Sequence, residues 1–503
     1  MIKHYSIIKG NKITFNNNAL FCIGTGRMGL ALHKAYQEQL KFVQDNIHFS
    51  HIRGHGLFSD DIAIYQEYKD DFGNMTAEYN FTYLDMVMDS YLELGIRPFL
   101  ELGFMPQKLA SGDQTVFYWK GNVTPPKNYE GWRELVQATL SHLMERYGKD
   151  EVVKWPIEVW NEPNLSVFWK DADKQEYFKL YEFTAKAIKD LDKRFKIGGP
   201  AICGVDDVNW MKDFMNFCHE SSAPIDFVTR HAYATEAPEH IGHYGYQELR
   251  EPEDLLRELQ ITRDIVDSYE EYRGMDIHIT EFNTSYIPNC PLHDQNVNAA
   301  YIAKLLSSLG DCNASYSYWT FGDIFEENGV PFTPFHGGFG LVANGVIPKP
   351  TFWTFAFFKE LQGECVHKSE ESIIVQTQDG SYRGVAWNLI KNTEAEQNLE
   401  LNITLPMSQE SCLLVKTVDE TCCNPLKIWH DIGEPAHPTP AQNALLRASS
   451  MPLVTTERVA ADKEKITINL SLSKNALTYF EIFPVNQKSD RGYIFKIREE
   501  ALI

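Results

Sequence analysis

Two short motifs contain residues whose types and order could do chemistry. Trp160-Asn161-Glu162-Pro163-Asn164 sets a carboxyl group beside an amide. A glutamate whose surroundings raise its pKa can protonate a leaving group near neutral pH. Pro163 stops the preceding strand and helps to fix the turn. Thr280-Glu281-Phe282-Asn283-Thr284-Ser285-Tyr286 supplies a second carboxyl group. Each glutamate alone reads equally well as a strand-end residue in a surface turn. As a pair they meet the requirement for cleaving a glycosidic bond with retained configuration, which is two carboxyl groups about 5 to 5.5 Å apart, one acting as nucleophile and one as acid and base. Glu162 and Glu281 are the candidate catalytic residues, provided that the fold brings them together.

The elements around the motifs supply that condition. Short apolar or β-branched segments predict strands at 20–25, 47–53, 97–103, 155–161, 196–202, 226–231, 276–281 and 314–320. Helical stretches lie between many of them: Leu30 to Val43, Tyr83 to Leu94, Trp132 to Tyr147, Gln175 to Leu191, Leu255 to Tyr272 and Gln295 to Leu309. This alternation predicts an α/β fold of the (β/α)8 TIM-barrel type, with a doubly wound sheet as the competing architecture. The barrel is favoured because polar and aromatic clusters recur just after the strands, where a barrel carries its active face. In a barrel the ends of strands four and seven, and so Glu162 and Glu281, open on the same face.

Beyond about Val346 the pattern changes to runs of period two separated by turn residues, such as Leu399 to Leu405 and Ile466 to Leu472. These predict an accessory β-sandwich. The expected organisation is residues 1–15 as N-terminal strands (Tyr5 to Ile8 and Lys12 to Phe15) joining the sandwich, 16–345 as the catalytic barrel and 346–503 as the sandwich domain. The proline-rich stretch from Cys423 to Pro440 reads as a loop excursion from it.

Further polar clusters sit at strand ends: Arg53-Gly54-His55-Gly56, Arg230-His231-Ala232-Tyr233, and Trp319 followed by Glu326-Glu327. Sugar recognition needs such groups, because each hydroxyl wants a donor or acceptor and each apolar ring face an aromatic. His51 and His55 have the spacing of helical metal ligands, but their segment reads as strand and turn, so hydrogen bonding is the favoured role. Gly24-Thr25-Gly26-Arg27-Met28-Gly29 matches a dinucleotide fingerprint between a strand and a helix. The next strand ends in Arg53 and His55, not in the acidic residue that a ribose would need, so the glycines read as a tight first barrel turn. An NAD-dependent oxidoreductase is the alternative that this motif would support.

Composition narrows the classes. The net charge of −22 opposes binding to nucleic acid. No apolar stretch reaches the roughly 18 residues of a membrane span, and the N-terminus lacks the apolar core of a secretory signal. With nine cysteines and no C-x-x-C pair, reduced thiols and a cytoplasmic location are expected.

Taken in order, G-T-G-R near Gly24, R-G-H-G-L-F-S-D-D from Arg53, E-L-G-F-M-P from Glu101, W-K-G-N-V-T-P-P from Trp119, W-N-E-P-N, H-A-Y from His231, T-E-F-N-T-S-Y, F-E-E-N-G-V-P-F-T-P-F-H-G-G-F-G-L from Phe325 and K-P-T-F-W-T-F from Lys349 resemble the β-xylosidases of glycoside hydrolase family 39. The resemblance implies a retaining, exo-acting enzyme with Glu162 as acid and base and Glu281 as nucleophile. It implies that Asn161 binds the hydroxyl beside the anomeric carbon and that Tyr233 holds Glu281. His55, His231, Tyr286, Trp319, Glu326 and Glu327 would line the glycone pocket, and Phe168 the leaving-group side. It implies a xylo-oligosaccharide or β-xyloside substrate, no metal or organic cofactor, and a homo-oligomer such as a tetramer. Within the family an α-L-iduronidase would call for Arg or Lys against its anionic sugar, where Glu326 and Glu327 stand instead; arabinosides and glucosides stay open, since one hydroxymethyl group is decided by pocket shape.

Overall fold

The computed structural model describes residues 1–391 and 397–485. Residues 392–396 and 486–503, which the sequence reading assigns to the accessory domain, lie outside the described residues. Eight parallel strands close into a barrel in sequential order: β1 (Cys22–Thr25), β2 (His51–Gly54), β3 (Arg97–Leu102), β4 (Ile157–Val159), β5 (Ile197–Ile202), β6 (Phe227–Tyr233), β7 (Asp276–Asn283) and β8 (Ser315–Tyr318). Tyr318 opposite Ile23 closes the ring. Each strand is followed by a helix: α1 (Lys34–Asn46), α2 (Thr82–Glu93), α3 (Tyr129–Tyr147), α4 (Lys174–Leu191), α5 (Asp207–Ser221), α6 (Pro252–Asp267), α7 (Asn296–Leu306) and α8 (Pro350–Lys359). The (β/α)8 class read from the sequence is therefore the one observed.

The sequence accounts for these elements locally. The strands are short and buried because the helices cover their outer faces while the barrel interior takes the other. On α4, Tyr177, Leu180, Tyr181, Thr184, Ala185 and Ile188 are buried along one stripe. Asp173 starts that helix by accepting from the backbone N–H groups of Gln175 and Glu176. Inside the barrel, residues near the strand starts are mainly apolar: Cys22, Phe99 and Phe227 form one cluster, and His278 meets both phenylalanines edge to face. Toward the strand ends the interior turns polar, with Arg53, Glu101, Glu158 and Thr280 all buried.

The accessory domain follows α8 with β9 (Glu364–Lys368), β10 (Ser372–Gln376), β11 (Tyr382–Trp387), β12 (Leu399–Leu405), β13 (Ser411–Val418), β14 (Leu453–Val459), β15 (Ile466–Leu472) and β16 (Leu477–Pro484). A six-stranded sheet runs in the order β9-β10-β11-β16-β13-β14. The N-terminal strand Ile2–Ser6 lies parallel to β12, and with β15 these form a three-stranded sheet. Leu401, Ile403, Ile468 and Leu470 of the smaller sheet share one apolar core with Ile374, Phe480 and Ile482 of the larger.

Three expectations need correction. The barrel extends past residue 345, because α8 (Pro350–Lys359) completes its ring of helices and packs Phe352, Phe355 and Phe358 into its core, and the accessory strands that follow it begin only at Glu364. Residues 12–15 form no strand; the Ile13 N–H donates to the Cys365 carbonyl from an irregular segment. The proline-rich excursion between β13 and β14 is not a plain loop, because it contains two helices, α9 (Pro425–Asp431) and α10 (Pro440–Ser449). Both begin on a proline, where the missing N–H costs nothing and the fixed φ suits the helix. Thr439 and Gln442 close a capping box on α10. Trp429 and Leu446 of these helices pack with Phe335, Ala343 and Ile347. The excursion thus braces the long segment that follows β8.

That segment is also tied from within. The Lys349 ammonium, fully buried, lies 2.7 Å from carboxylate oxygens of both Asp294 and Asp323 and donates to the Gly338 carbonyl. Asp323 in turn accepts from the Gly340 N–H and Asp294 from the Gly337 N–H. Lys349→Met would strand two carboxylates in the interior, with an expected loss of about 3 to 5 kcal/mol. Urea unfolding followed by tryptophan fluorescence measures it, and a midpoint equal to wild type would show that the ammonium contributes nothing.

Candidate active site

The C-terminal ends of β4 and β7 carry Glu162 and Glu281. Past β4 the chain turns sharply, with φ of 71° at Trp160 and 43° at Glu162, a region that side chains other than glycine enter at a cost of about 1 to 3 kcal/mol each. Three hydrogen bonds hold this geometry: Trp160 N–H to the Leu102 carbonyl, Trp160 Nε1 to the Phe168 carbonyl, and Glu162 N–H to the Ala201 carbonyl. The turn aims the Glu162 side chain over the barrel mouth, where one ligand atom each from Glu162, His231 and Glu281 all lie within 4.8 Å of one another.

The two carboxyl groups have different neighbours. Glu281 accepts from the Arg53 guanidinium through one oxygen and from the Tyr233 hydroxyl, at 2.7 Å, through the other. Glu162 lies 2.7 Å from His231 Nδ1, which is also 3.4 Å from Glu281. Below them Arg53, fully buried on β2, pairs with Glu101 at 2.9 Å and Glu158 at 2.7 Å and donates to the Asn161 side-chain carbonyl at 2.9 Å. The Thr280 hydroxyl donates to Glu158 at 2.7 Å. His55 Nδ1 meets Glu101 at 2.7 Å, while its Nε2 faces Glu281 at 3.7 Å and Glu327 at 4.0 Å. His51 instead contacts the Phe21 carbonyl through Nδ1; it is not drawn to His55.

A cavity of about 520 Å³ opens above the pair. Its walls bring together Glu162, Glu281, His55, Asn161, Phe168, His231, Tyr233, Tyr286, Trp319 and Glu327. Glu326 is the exception among the candidates. It is absent from these walls, and its carboxylate is engaged by Arg27 at 2.6 Å, which also pairs with Asp61. Adjacent glutamates in an irregular segment point different ways, and Arg27 draws one of them off. A larger cleft of about 1000 Å³ between barrel and accessory domain is lined by neither Glu162 nor Glu281, and by no aromatic ring.

The glycine run has a steric explanation. A Cβ on Gly24 would lie 2.5 Å from a ring atom of Trp319 and one on Gly26 would lie 2.9 Å from Phe325. These glycines make room for the indole that walls the cavity and for the phenyl ring packed edge to face against it. Glu158 belongs to none of the motifs and Glu101 enters only as the first residue of E-L-G-F-M-P; the signal both carry is a charged residue inside an otherwise apolar strand. Arg53 stood in a recognised cluster but without a role.

A (β/α)8 barrel with two buried carboxyl groups converging from the ends of β4 and β7 has the architecture of a glycoside hydrolase. The chain belongs to glycosyl hydrolases family 39: residues 8–467 match the family described by that name. It is 49% identical to a β-xylosidase of Geobacillus stearothermophilus over 97% of each chain, and 35% identical to one of Caldicellulosiruptor saccharolyticus over 90% of this chain and 92% of the relative. Among solved structures, a monomeric β-xylosidase from Caulobacter crescentus CB15 superposes with a TM-score of 0.87 at 29% identity, covering 96% of this chain and all of that one.

Burial governs protonation in the cavity. It raises Glu162 well above the usual carboxylate range, and the nearby Glu281 charge adds to the effect while Arg53 opposes it. Burial raises Glu327 likewise, with Glu281 and Glu162 adding. His231 is pushed well below its ordinary value by burial, then by the Arg53 charge, and stays neutral. Since Glu327 holds its proton in the folded state at a pH where the unfolded chain has lost it, the folded state binds more protons in that window, and stability falls as pH rises through it. Glu327→Gln is expected to raise the melting temperature at about pH 8, with the gain fading toward about pH 4. Calorimetric melts of both proteins across that range test this; a gain independent of pH would contradict it.

Proposed function

We propose that this chain is a retaining, exo-acting β-xylosidase in which Glu281 is the nucleophile and Glu162 the acid and base. The observation that carries the reading is the unequal setting of two carboxyl groups whose reactive atoms lie within 4.8 Å. Glu281 rests in a cradle of guanidinium and phenol suited to an attacking anion. Glu162, with its proton retained by burial, is suited to protonate the departing oxygen.

In the first step Glu281 attacks the anomeric carbon as Glu162 protonates the leaving group. In the second, Glu162, now a base, takes a proton from water as that water displaces Glu281, and xylose leaves with its configuration retained. Asn161, oriented by Arg53, would bind the hydroxyl beside the anomeric carbon. His55, His231, Tyr286, Trp319 and Glu327 would hold the glycone, and Phe168 would flank the leaving group. The displacement calls on no metal or organic cofactor. Family membership and 49% identity to a β-xylosidase support the choice of sugar. The nine cysteines, all unpaired and most buried, support a cytoplasmic setting. We further propose a homo-oligomer such as a tetramer, on the family resemblance; a light-scattering mass equal to one chain would refute this.

Wild-type enzyme is expected to hydrolyse aryl β-xyloside faster than aryl β-glucoside or α-arabinoside. Glu281→Ala should lower kcat by about 10⁴-fold or more, and activity surviving it would rule out Glu281 as the nucleophile. Tyr233→Phe removes one hydrogen bond to a charged group, worth about 1.5 to 3 kcal/mol, so kcat/KM should fall by about 10- to 100-fold.

A further inference from the structure

Glu327 lines a second chamber as well as the catalytic cavity, so that one residue forms a wall of both. This chamber, about 360 Å³ in volume, lies between the loop after β8 and a hairpin of Glu239–Ile241 and Tyr244–Tyr246. His243 at the hairpin tip meets Phe332 of the loop edge to face, with ring centroids 5.5 Å apart. Tyr244, Asn289 and Asn328 also line the space. Its frame is built and not incidental. The Asn289 side-chain amide donates to the His243 carbonyl at 2.6 Å, and the Gly245 N–H donates to the Asn289 carbonyl at 3.1 Å. A Cβ on Gly245 would collide with Ile287 at 2.2 Å, so the hairpin seats closely on the segment following β7.

The lining states what could enter. It contains no lysine, arginine or aspartate, and its one carboxyl-bearing residue is Glu327, held protonated by burial. Its other polar side chains are the imidazoles of His243 and His336, the amides of Asn289 and Asn328, and the hydroxyls of Tyr244 and Thr333. Aromatic and imidazole rings combined with side-chain amides suit a small neutral molecule that has an apolar face and several hydroxyls. The volume falls at the lower end of ligand cavities and accommodates a single sugar ring better than a chain of them.

We propose that this chamber is a second binding site, specific for a neutral monosaccharide of the xylose class and coupled to the catalytic cavity through Glu327. The proposal rests on the β-xylosidase reading, which supplies the pentose. A sugar bound in the chamber would press on the segment that carries Glu327, whose carboxyl group faces His55 in the catalytic cavity, and so alter the fit of that group to the glycone. By reciprocity, a filled catalytic cavity changes affinity in the chamber by the same factor.

The test fills the catalytic cavity first. An activated 2-deoxy-2-fluoro-β-xyloside transfers its sugar to the nucleophile and leaves slowly, and mass spectrometry counts one adduct per chain and locates it. D-xylose is then titrated calorimetrically into the labelled protein and into labelled Tyr244→Ala and Phe332→Ala, whose labelling confirms that they are folded. The expected result is one further xylose per labelled chain, bound about tenfold more weakly by each variant. Labelled protein that takes up no xylose, or labelled variants that bind it as tightly as the unsubstituted labelled protein, overturns the second site. Protein that accepts no label, or accepts it away from Glu281, overturns the catalytic reading on which the proposal rests.

Discussion

The mouth of this barrel is organised by one guanidinium. Arg53 faces Glu101, Glu158 and Glu281 at once, and among the described residues no other arginine or lysine pairs with any of the three. Each buried carboxylate would cost several kcal/mol without a partner, so the arginine is what allows so many to share a dry interior. Its planar fork also fixes direction: one edge meets Glu158 and another Glu281, while Asn161 receives a donor from the same group. A lysine would bring the charge without the fork. The positions of Glu281, the Asn161 amide and, through Glu101, His55 all follow from this one side chain.

The asymmetry between the two glutamates has the same origin. Arg53 reaches Glu281 directly but influences Glu162 only through space, and burial outweighs that influence. On the proposed mechanism two identical residues take opposite tasks because one is hydrogen-bonded to the cation and the other to a neutral imidazole. The left-handed turn at Trp160 and Glu162 stores strain to keep the second carboxyl group facing the first, and the closed barrel supplies the rigidity that sustains it.

Much of this was legible in the sequence. The strand periodicity and the two strand-end glutamates were enough to specify a barrel and to put both on one face. Less legible were features that depend on side-chain direction within a strand. Glu101 and Glu158 look like ordinary strand residues until the barrel closes and turns them inward toward Arg53. Glu326 and Glu327 are equivalent in sequence, and only the position of Arg27 separates them. The prolines of the excursion suggested a loop because proline breaks helices from within, whereas Pro425 and Pro440 occupy the one helical position where proline is favoured. The glycine run gave a misleading signal because close packing against Trp319 and close approach to a phosphate ask for the same residue.

The bracing of the segment after β8 by α9 and α10 bears on how this protein can be divided. Glu327 belongs to a segment anchored on one side by Lys349 and on the other by Trp429 and Leu446, which the chain supplies about a hundred residues later from inside the accessory domain. The boundary visible in the backbone, between α8 and β9, is therefore not the boundary of the active site. A barrel excised there would keep Glu162 and Glu281 and lose the support that Trp429 and Leu446 give to the wall opposite them. An accessory domain transplanted from a relative would import its own buttress for that wall. In this architecture the sandwich is heritable only together with the pocket it props.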